Sequence, residues 1–212
     1  MSSDRELRDG AAALGLRLSD QQCELLSAYG ALIMKWNRVY NLTALRDPAT
    51  VLTHHLLDSL SVIGPLGREW PGSAALLDVG AGAGLPGAVI AIMREDITVT
   101  CLDAVAKKAA FVQQVAVELG LPNLRGLHAR VESLMGSFEL ISSRAFASLP
   151  DFFDGTKGLL APGGLWLAMK GKTPVEELAR LPAEIEVFHV EQLQVPGLHA
   201  DRCIVWARKQ AA

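Results

Sequence analysis

The spacing of apolar positions along the chain changes near residue 72. Before that point the period is helical: Leu25, Leu26, Tyr29, Leu32, Ile33 and Trp36 recur at the three-and-four spacing that gathers residues onto one helical face. Ser19-Asp20-Gln21-Gln22 stands ahead of them in the form of a capping box, where serine and glutamine side chains satisfy each other's free backbone N–H groups. Asp47-Pro48 opens a second helix, with an acidic N-cap and a proline where no N–H is needed. Its stripe is Val51, Leu52, His55, Leu56, Leu60 and Ile63, and Gly64-Pro65 is expected to end it.

From Ala74 onward short apolar runs alternate with helical segments, the pattern of a parallel sheet covered on both faces. Strands are expected at Ala75–Val79, Thr98–Asp103, Arg125–His128, Glu139–Ser142 and Leu165–Met169, with helices beginning near Pro86, Ala104, Leu149 and Pro174. Glu186–Val190 and Cys203–Ala207 follow with no helix between them, so the sheet is expected to close with an antiparallel pair. The fold class is therefore α/β, mostly parallel with an antiparallel C-terminal strand, plus an N-terminal helical extension. Residues 1–72 form a helical cap packed on a core of residues 73–212, the two making one compact unit.

Composition narrows the chemistry. The 212 residues are 50% hydrophobic and 20% charged, ample for a buried core. The longest apolar run, Ala88 to Met93, is far short of the roughly 20 residues that span a bilayer, so no membrane is expected and the cytoplasm is the expected location. Cys23, Cys101 and Cys203 are far apart, and the five histidines form no His-Glu-x-x-His pattern. Buried thiols and no metal are the expectation. A net charge of −3 excludes a surface that is basic throughout. Residues 35–174 nevertheless carry thirteen basic against twelve acidic groups, which leaves room for a local basic face.

The chemistry concentrates at Asp78-Val79-Gly80-Ala81-Gly82-Ala83-Gly84-Leu85-Pro86-Gly87, where the first strand hands over to a helix. In a doubly wound sheet a nucleotide-like ligand binds there, because glycines let the backbone approach it and the helix start supplies free N–H groups. Asp103 closes the next strand, 23 residues after Gly80, where a carboxylate can accept hydrogen bonds from both hydroxyls of a ribose. Gly82-x-Gly84-x-x-Gly87 also satisfies the dinucleotide fingerprint, so NAD remains an alternative. Asp78 favours a different ligand: a carboxylate there repels a pyrophosphate but attracts the sulfonium and ammonium of S-adenosylmethionine.

Further motifs occur in order along the chain: Lys35-Trp36-Asn37-Arg38-Val39-Tyr40-Asn41-Leu42-Thr43-Ala44, Asp47-Pro48, His55-Leu56-Leu57-Asp58-Ser59, the glycine loop, Arg130-Val131-Glu132 and Ser143-Arg144-Ala145-Phe146-Ala147. Together they resemble the ribosomal RNA small subunit methyltransferase G family, also called the glucose-inhibited division protein B family, over about residues 14–175. The resemblance implies a Rossmann-like class I methyltransferase sheet and methyl transfer from S-adenosylmethionine to N7 of a guanine in the 530 loop of 16S ribosomal RNA. S-adenosylhomocysteine would be the product, and the small ribosomal subunit the partner. The family's donor-binding positions fall on Gly80, Leu85, Val131-Glu132 and Arg144. Ala83 stands where a proline is common in the family, and the chain after Pro174 matches weakly.

The residues themselves bear on the mechanism. N7 of guanine carries a lone pair and no proton, so in-line attack on a methyl needs no general base. The Asn/Asp-Pro-Pro-aromatic segment of enzymes acting on exocyclic amines is replaced by Ser143-Arg144-Ala145-Phe146. Arg144, at the end of the fourth strand, can bind a carboxylate, a guanine O6 or a phosphate, or else pair with Asp151 or Asp154. Phe146 can stack on a flipped base or face the core. For RNA contact the candidates are Asn41, Arg46, Arg144, Lys170 and Lys172, the lysines by their place at the ligand edge of the sheet. His54-His55 reads as one packed and one exposed residue. Two other readings stay open: an S-adenosylmethionine-dependent methyltransferase acting on a small molecule, and a nucleotide-binding regulator without catalysis.

Overall fold

The computed structural model describes residues 2–42 and 47–210. Seven strands, β1 (Ala74–Val79), β2 (Ile97–Asp103), β3 (Leu124–His128), β4 (Phe138–Arg144), β5 (Leu160–Lys170), β6 (Ile185–Leu193) and β7 (Arg202–Lys209), form one sheet in the order β3-β2-β1-β4-β5-β7-β6. Neighbours are parallel from β3 through β5, and β7 runs antiparallel between β5 and β6. All seven expected strands are present. The strand order reverses between β1 and β4, and the crevice beyond their C-terminal ends is where such sheets bind ligands.

Alternation along the strands divides the core in two. Leu76, Val99, Leu140, Leu167 and Trp206 face one way, against α1 (Ser2–Ala13), α2 (Asp20–Tyr40), α5 (Ile63–Glu69), α6 (Gly87–Met93) and α7 (Ala106–Glu118). Leu77, Val79, Ile141, Trp166 and Val205 face the other way, against α8 (Leu149–Thr156), whose Phe153 ring lies 5.0 Å from that of Trp166. Leu7 and Ile33 of the N-terminal helices share a single apolar cluster with Ile90 and Trp206, so the cap covers one face of the sheet.

The capping box forms as its residues dictate, with Ser19 Oγ accepting from Gln22 N–H and Gln22 Oε1 from Ser19 N–H, each at 3.0 Å. Asp47 caps α3 (Pro48–Val51) through Thr50 N–H, also as the sequence predicts. The segment beyond differs from expectation. Leu52–Leu57 is π-helical, and α4 (Asp58–Leu60) ends at Ser61, whose hydroxyl donates to the Asp58 carbonyl. Gly64-Pro65 opens α5 instead of ending the preceding helix, because a proline in a first turn forfeits no helical hydrogen bond. A last short helix, α9 (Val175–Leu178), leads into β6. Among the described residues no helix is long and apolar enough to cross a membrane.

Candidate functional site

Two cavities open at the C-terminal ends of β1, β2 and β4 and meet at Gly80. The larger, about 480 Å³, runs between the loop after β1 and the helical cap; the smaller, about 150 Å³, lies between β2 and the turn after β3. Gly80 has φ 67°, and a Cβ on it would collide with the ring of Phe146, so only glycine lets the backbone pass this closely beneath the ring at the junction.

Asp103, Val131 and Glu132, three of the residues read as donor-binding from sequence, all line the smaller cavity. The Asp103 carboxylate is fixed by Gly82 N–H on Oδ2 (2.9 Å) and Val105 N–H on Oδ1 (2.8 Å), which leaves each oxygen a further lone pair for a hydroxyl. Gly82 and Leu85 line the larger cavity with Ala81 and Ala83.

Asp78 and Gly84 stand elsewhere than expected. Asp78 is fully buried beneath the loop and lines neither cavity, because its carboxylate is consumed internally. It accepts from Gly87 N–H (2.9 Å) and from Ser142 Oγ (2.7 Å), tying the far end of the loop to β4. Burial pushes its pKa up to about 6, against the pull of those two hydrogen bonds. Gly84 is a packing position: at φ 86° it sits against Val112, Ala88 and the Tyr29 hydroxyl. Tyr29 itself, from the apolar stripe of α2, donates to the carbonyls of Ala83 (2.6 Å) and Gly84 (3.1 Å) and so anchors the loop to the cap.

Across the larger cavity stands a charged wall. Arg144 donates from Nη1 to Asp58 Oδ2 (2.8 Å) and to the His54 carbonyl (3.0 Å), in place of the pairing with Asp151 or Asp154 weighed from sequence. Arg202 donates from Nε to Asp58 Oδ1 (2.9 Å). Both histidines line this cavity, His55 buried and His54 half-buried. Burial, reinforced by the Arg144 charge, brings the His55 pKa down to about 4, so its ring is neutral at physiological pH. Ala145 follows Arg144 in the left-handed region (φ 53°). The turn lets Arg144 reach Asp58 while Phe146, 40% exposed, covers Gly80 and lines the smaller cavity.

The remaining RNA candidates divide. Lys170 lines the larger cavity and is held by Glu177 Oε2 and the Ala147 carbonyl, each at 2.8 Å. Lys172 is exposed and lines neither cavity. Asn41 is the left-handed C-cap of α2 at the rim, one residue before Leu42, which does line the larger cavity. Arg46 lies outside the described residues. Sequence reasoning assigned no role to Asp58, Arg202 or Tyr29. The signal for Asp58 was present, as an acid inside Leu56-Leu57-Asp58-Ser59-Leu60.

Comparison with known proteins gives a consistent result. The family model described as rRNA small subunit methyltransferase G matches residues 22–205. A protein of Albidiferax ferrireducens named ribosomal RNA small subunit methyltransferase G is 60% identical, with 98% of each chain covered. One of the same name from an Acidovorax species is 57% identical, covering 99% of this chain and 97% of its own. Among solved structures, Burkholderia thailandensis 1,6-didemethyltoxoflavin-N1-methyltransferase, with bound S-adenosylhomocysteine, superposes with TM-score 0.60 at 17% identity, covering 92% of this chain and 93% of its own. TrmN from Thermus thermophilus gives TM-score 0.60 at 18% identity, covering 75% and 53%. These two similarities speak to the fold alone.

Proposed function

The chain belongs to the rRNA small subunit methyltransferase G family, and from that premise we propose that it transfers a methyl group from S-adenosylmethionine to N7 of a guanine in the 530 loop of 16S ribosomal RNA, within the small ribosomal subunit. The observation that carries the reading is the junction at Gly80, where a cavity bounded by the Asp103 carboxylate meets one walled by guanidinium groups. The smaller cavity fits the nucleoside end of the donor: Asp103 would hold the ribose and Val131-Glu132 the adenine edge. The larger fits its amino-acid end beside the incoming base, along Gly82 and Leu85. The donor, when bound, supplies a methyl group activated by a sulfonium.

The residues then have limited work. N7 has no proton to lose, so no general base is required. No cysteine lines either cavity, and Cys23, Cys101 and Cys203 are all buried, which disfavours a covalent route of the kind used on pyrimidine carbons. Catalysis rests on positioning, with Arg144 turned into the cleft to hold guanine O6 or a neighbouring phosphate. The glycine loop would keep Asp78 out of the donor's reach, since that carboxylate is buried below it, and leave Asp103 facing the donor.

The test is incubation of the protein with methyl-labelled donor and small subunits lacking the modification, followed by mapping of the labelled base. Label at N7 of a 530-loop guanine is the expected result; label absent from RNA would overturn the reading. Parallel incubation with naked 16S RNA separates assembled subunit from free RNA as the substrate.

A further inference from the structure

Asp58 is 2% exposed, yet each of its carboxylate oxygens accepts a hydrogen bond from a different arginine. The two arginines come from the C-terminal end of β4 and the start of β7, 86 and 144 residues away in sequence, and both line the larger cavity. The third cation there, Lys170, is matched by Glu177. One carboxylate is shared between the two guanidinium groups at the cavity wall, and the other anion Arg144 feels, Asp78, is buried beneath the loop and lines neither cavity. Donors remain uncommitted as well: Arg202 Nη2 has no hydrogen-bond partner among the described residues, and Arg144 Nη2 has only a 3.5 Å contact with His55 Nδ1.

We propose that Asp58 is the positioning residue for RNA methylation: it clamps Arg144 and Arg202 side by side so that their free N–H groups face a phosphodiester of the RNA flanking the target guanine. The inference rests on the functional reading above. Two guanidinium groups of like charge separate when nothing holds them, and a long, flexible arginine that must be ordered on binding contributes less than one already in place. Because the clamp is buried, bulk salt screens it weakly, and it persists at ionic strengths that strip exposed ion pairs.

The test compares Asp58→Asn, Arg202→Gln and the double variant with wild type, reading donor affinity by calorimetry and kcat and KM on undermethylated small subunits. Asp58→Asn keeps the shape of the side chain and removes its charge. Donor affinity is expected to stay within about threefold of wild type while kcat/KM on subunits falls about 100-fold, the size expected when a charged partner is lost. The double variant is expected to lose no more than about threefold beyond Asp58→Asn, since the arginine already lacks its anchor. Wild-type kcat/KM in Asp58→Asn, additive losses, or donor affinity falling in step with kcat/KM would each overturn the proposal. Should Asp58→Asn be unfolded at the assay temperature, Arg202→Gln carries the test through salt dependence. The slope of log affinity for subunits against log salt is then expected to decrease by about 1, and an unchanged slope overturns the proposal. An unlabelled wild-type arm would overturn this proposal together with the functional reading; full labelling by Asp58→Asn beside a labelled wild type overturns this one alone.

Discussion

The loop wall of the cleft presents backbone and small side chains to the cavities, Gly80, Ala81, Gly82 and Ala83, while its one acid, Asp78, is tucked underneath and spent on Gly87 and Ser142. The facing charged wall presents side chains from β4, β5 and β7, and the carboxylate that organises the two arginines, Asp58 of the cap, is the buried part. Both walls hide an anion, for different ends. Asp78 holds a backbone turn in shape, so that the loop proposed to receive the donor keeps one conformation. Asp58 holds two long cations, so that a large, polyanionic substrate meets a preformed pair of forks. Tyr29 joins the walls, rooted in α2 and bonded to the loop carbonyls.

The comparison breaks most sharply at the junction. Gly80→Val is expected to lower donor affinity by at least about 100-fold, since its side chain meets Phe146 in a conformation β-branched residues avoid. Calorimetric titration with the donor measures it, and unchanged affinity would remove the loop from the donor site. Asp78→Ala is expected to cost about 3 kcal/mol in chemical denaturation, because it strands the buried Gly87 N–H and Ser142 hydroxyl. Asp78→Asn is expected to cost about 1 kcal/mol, as the Ser142 hydroxyl can turn from donor to acceptor.

The pH dependence separates the walls by sign. Asp78 is raised from 3.8 to about 6, so its contribution to stability is present below pH 3.8 and lost as pH rises through 6. His55 is lowered from 6.5 to about 4, so its contribution is present above pH 6.5 and lost as pH falls through 4. Relative to wild type, Asp78→Asn should therefore gain stability as pH rises from 4 to 6. His55→Gln should gain as pH falls from 6.5 to 4. Each change is roughly 2–3 kcal/mol, and urea denaturation at several pH values reads it. Equal slopes for both variants would show that the two environments are not opposed.

Smaller effects sharpen the picture. Tyr29→Phe removes the hydroxyl that bridges the walls and is expected to cost about 1 kcal/mol, with a few-fold weaker donor binding. Lys172→Ala, exposed and outside both cavities, is expected to weaken subunit binding less than threefold, roughly the effect of one screened surface charge.

What the sequence made legible follows the same division. The sheet could be read because its strands are short apolar runs alternating with helical segments, and the glycine loop because its chemistry is local: strand, loop and acid stand in order from Asp78 to Asp103. The charged wall could not be read in the same way. Asp58, Arg144 and Arg202 meet only because β4 ends and β7 begins beside α4, and no local pattern records that meeting. The π-helical stretch through His54 and His55 looks in sequence like an ordinary amphipathic helix, since its apolar spacing satisfies both periods. Asp78 misled for a related reason: an acid before a glycine loop can face the ligand or brace the loop, and burial decides which.

We propose that Arg144, on the charged wall, positions the base while the loop wall holds the donor. The most direct test is single-turnover methyl transfer to undermethylated small subunits by enzyme already saturated with donor, with wild type beside Arg144→Leu. With donor saturating both proteins, the transfer rate at guanine N7 is expected to be lower by at least about 100-fold in the variant. Transfer by Arg144→Leu at the wild-type rate would contradict it.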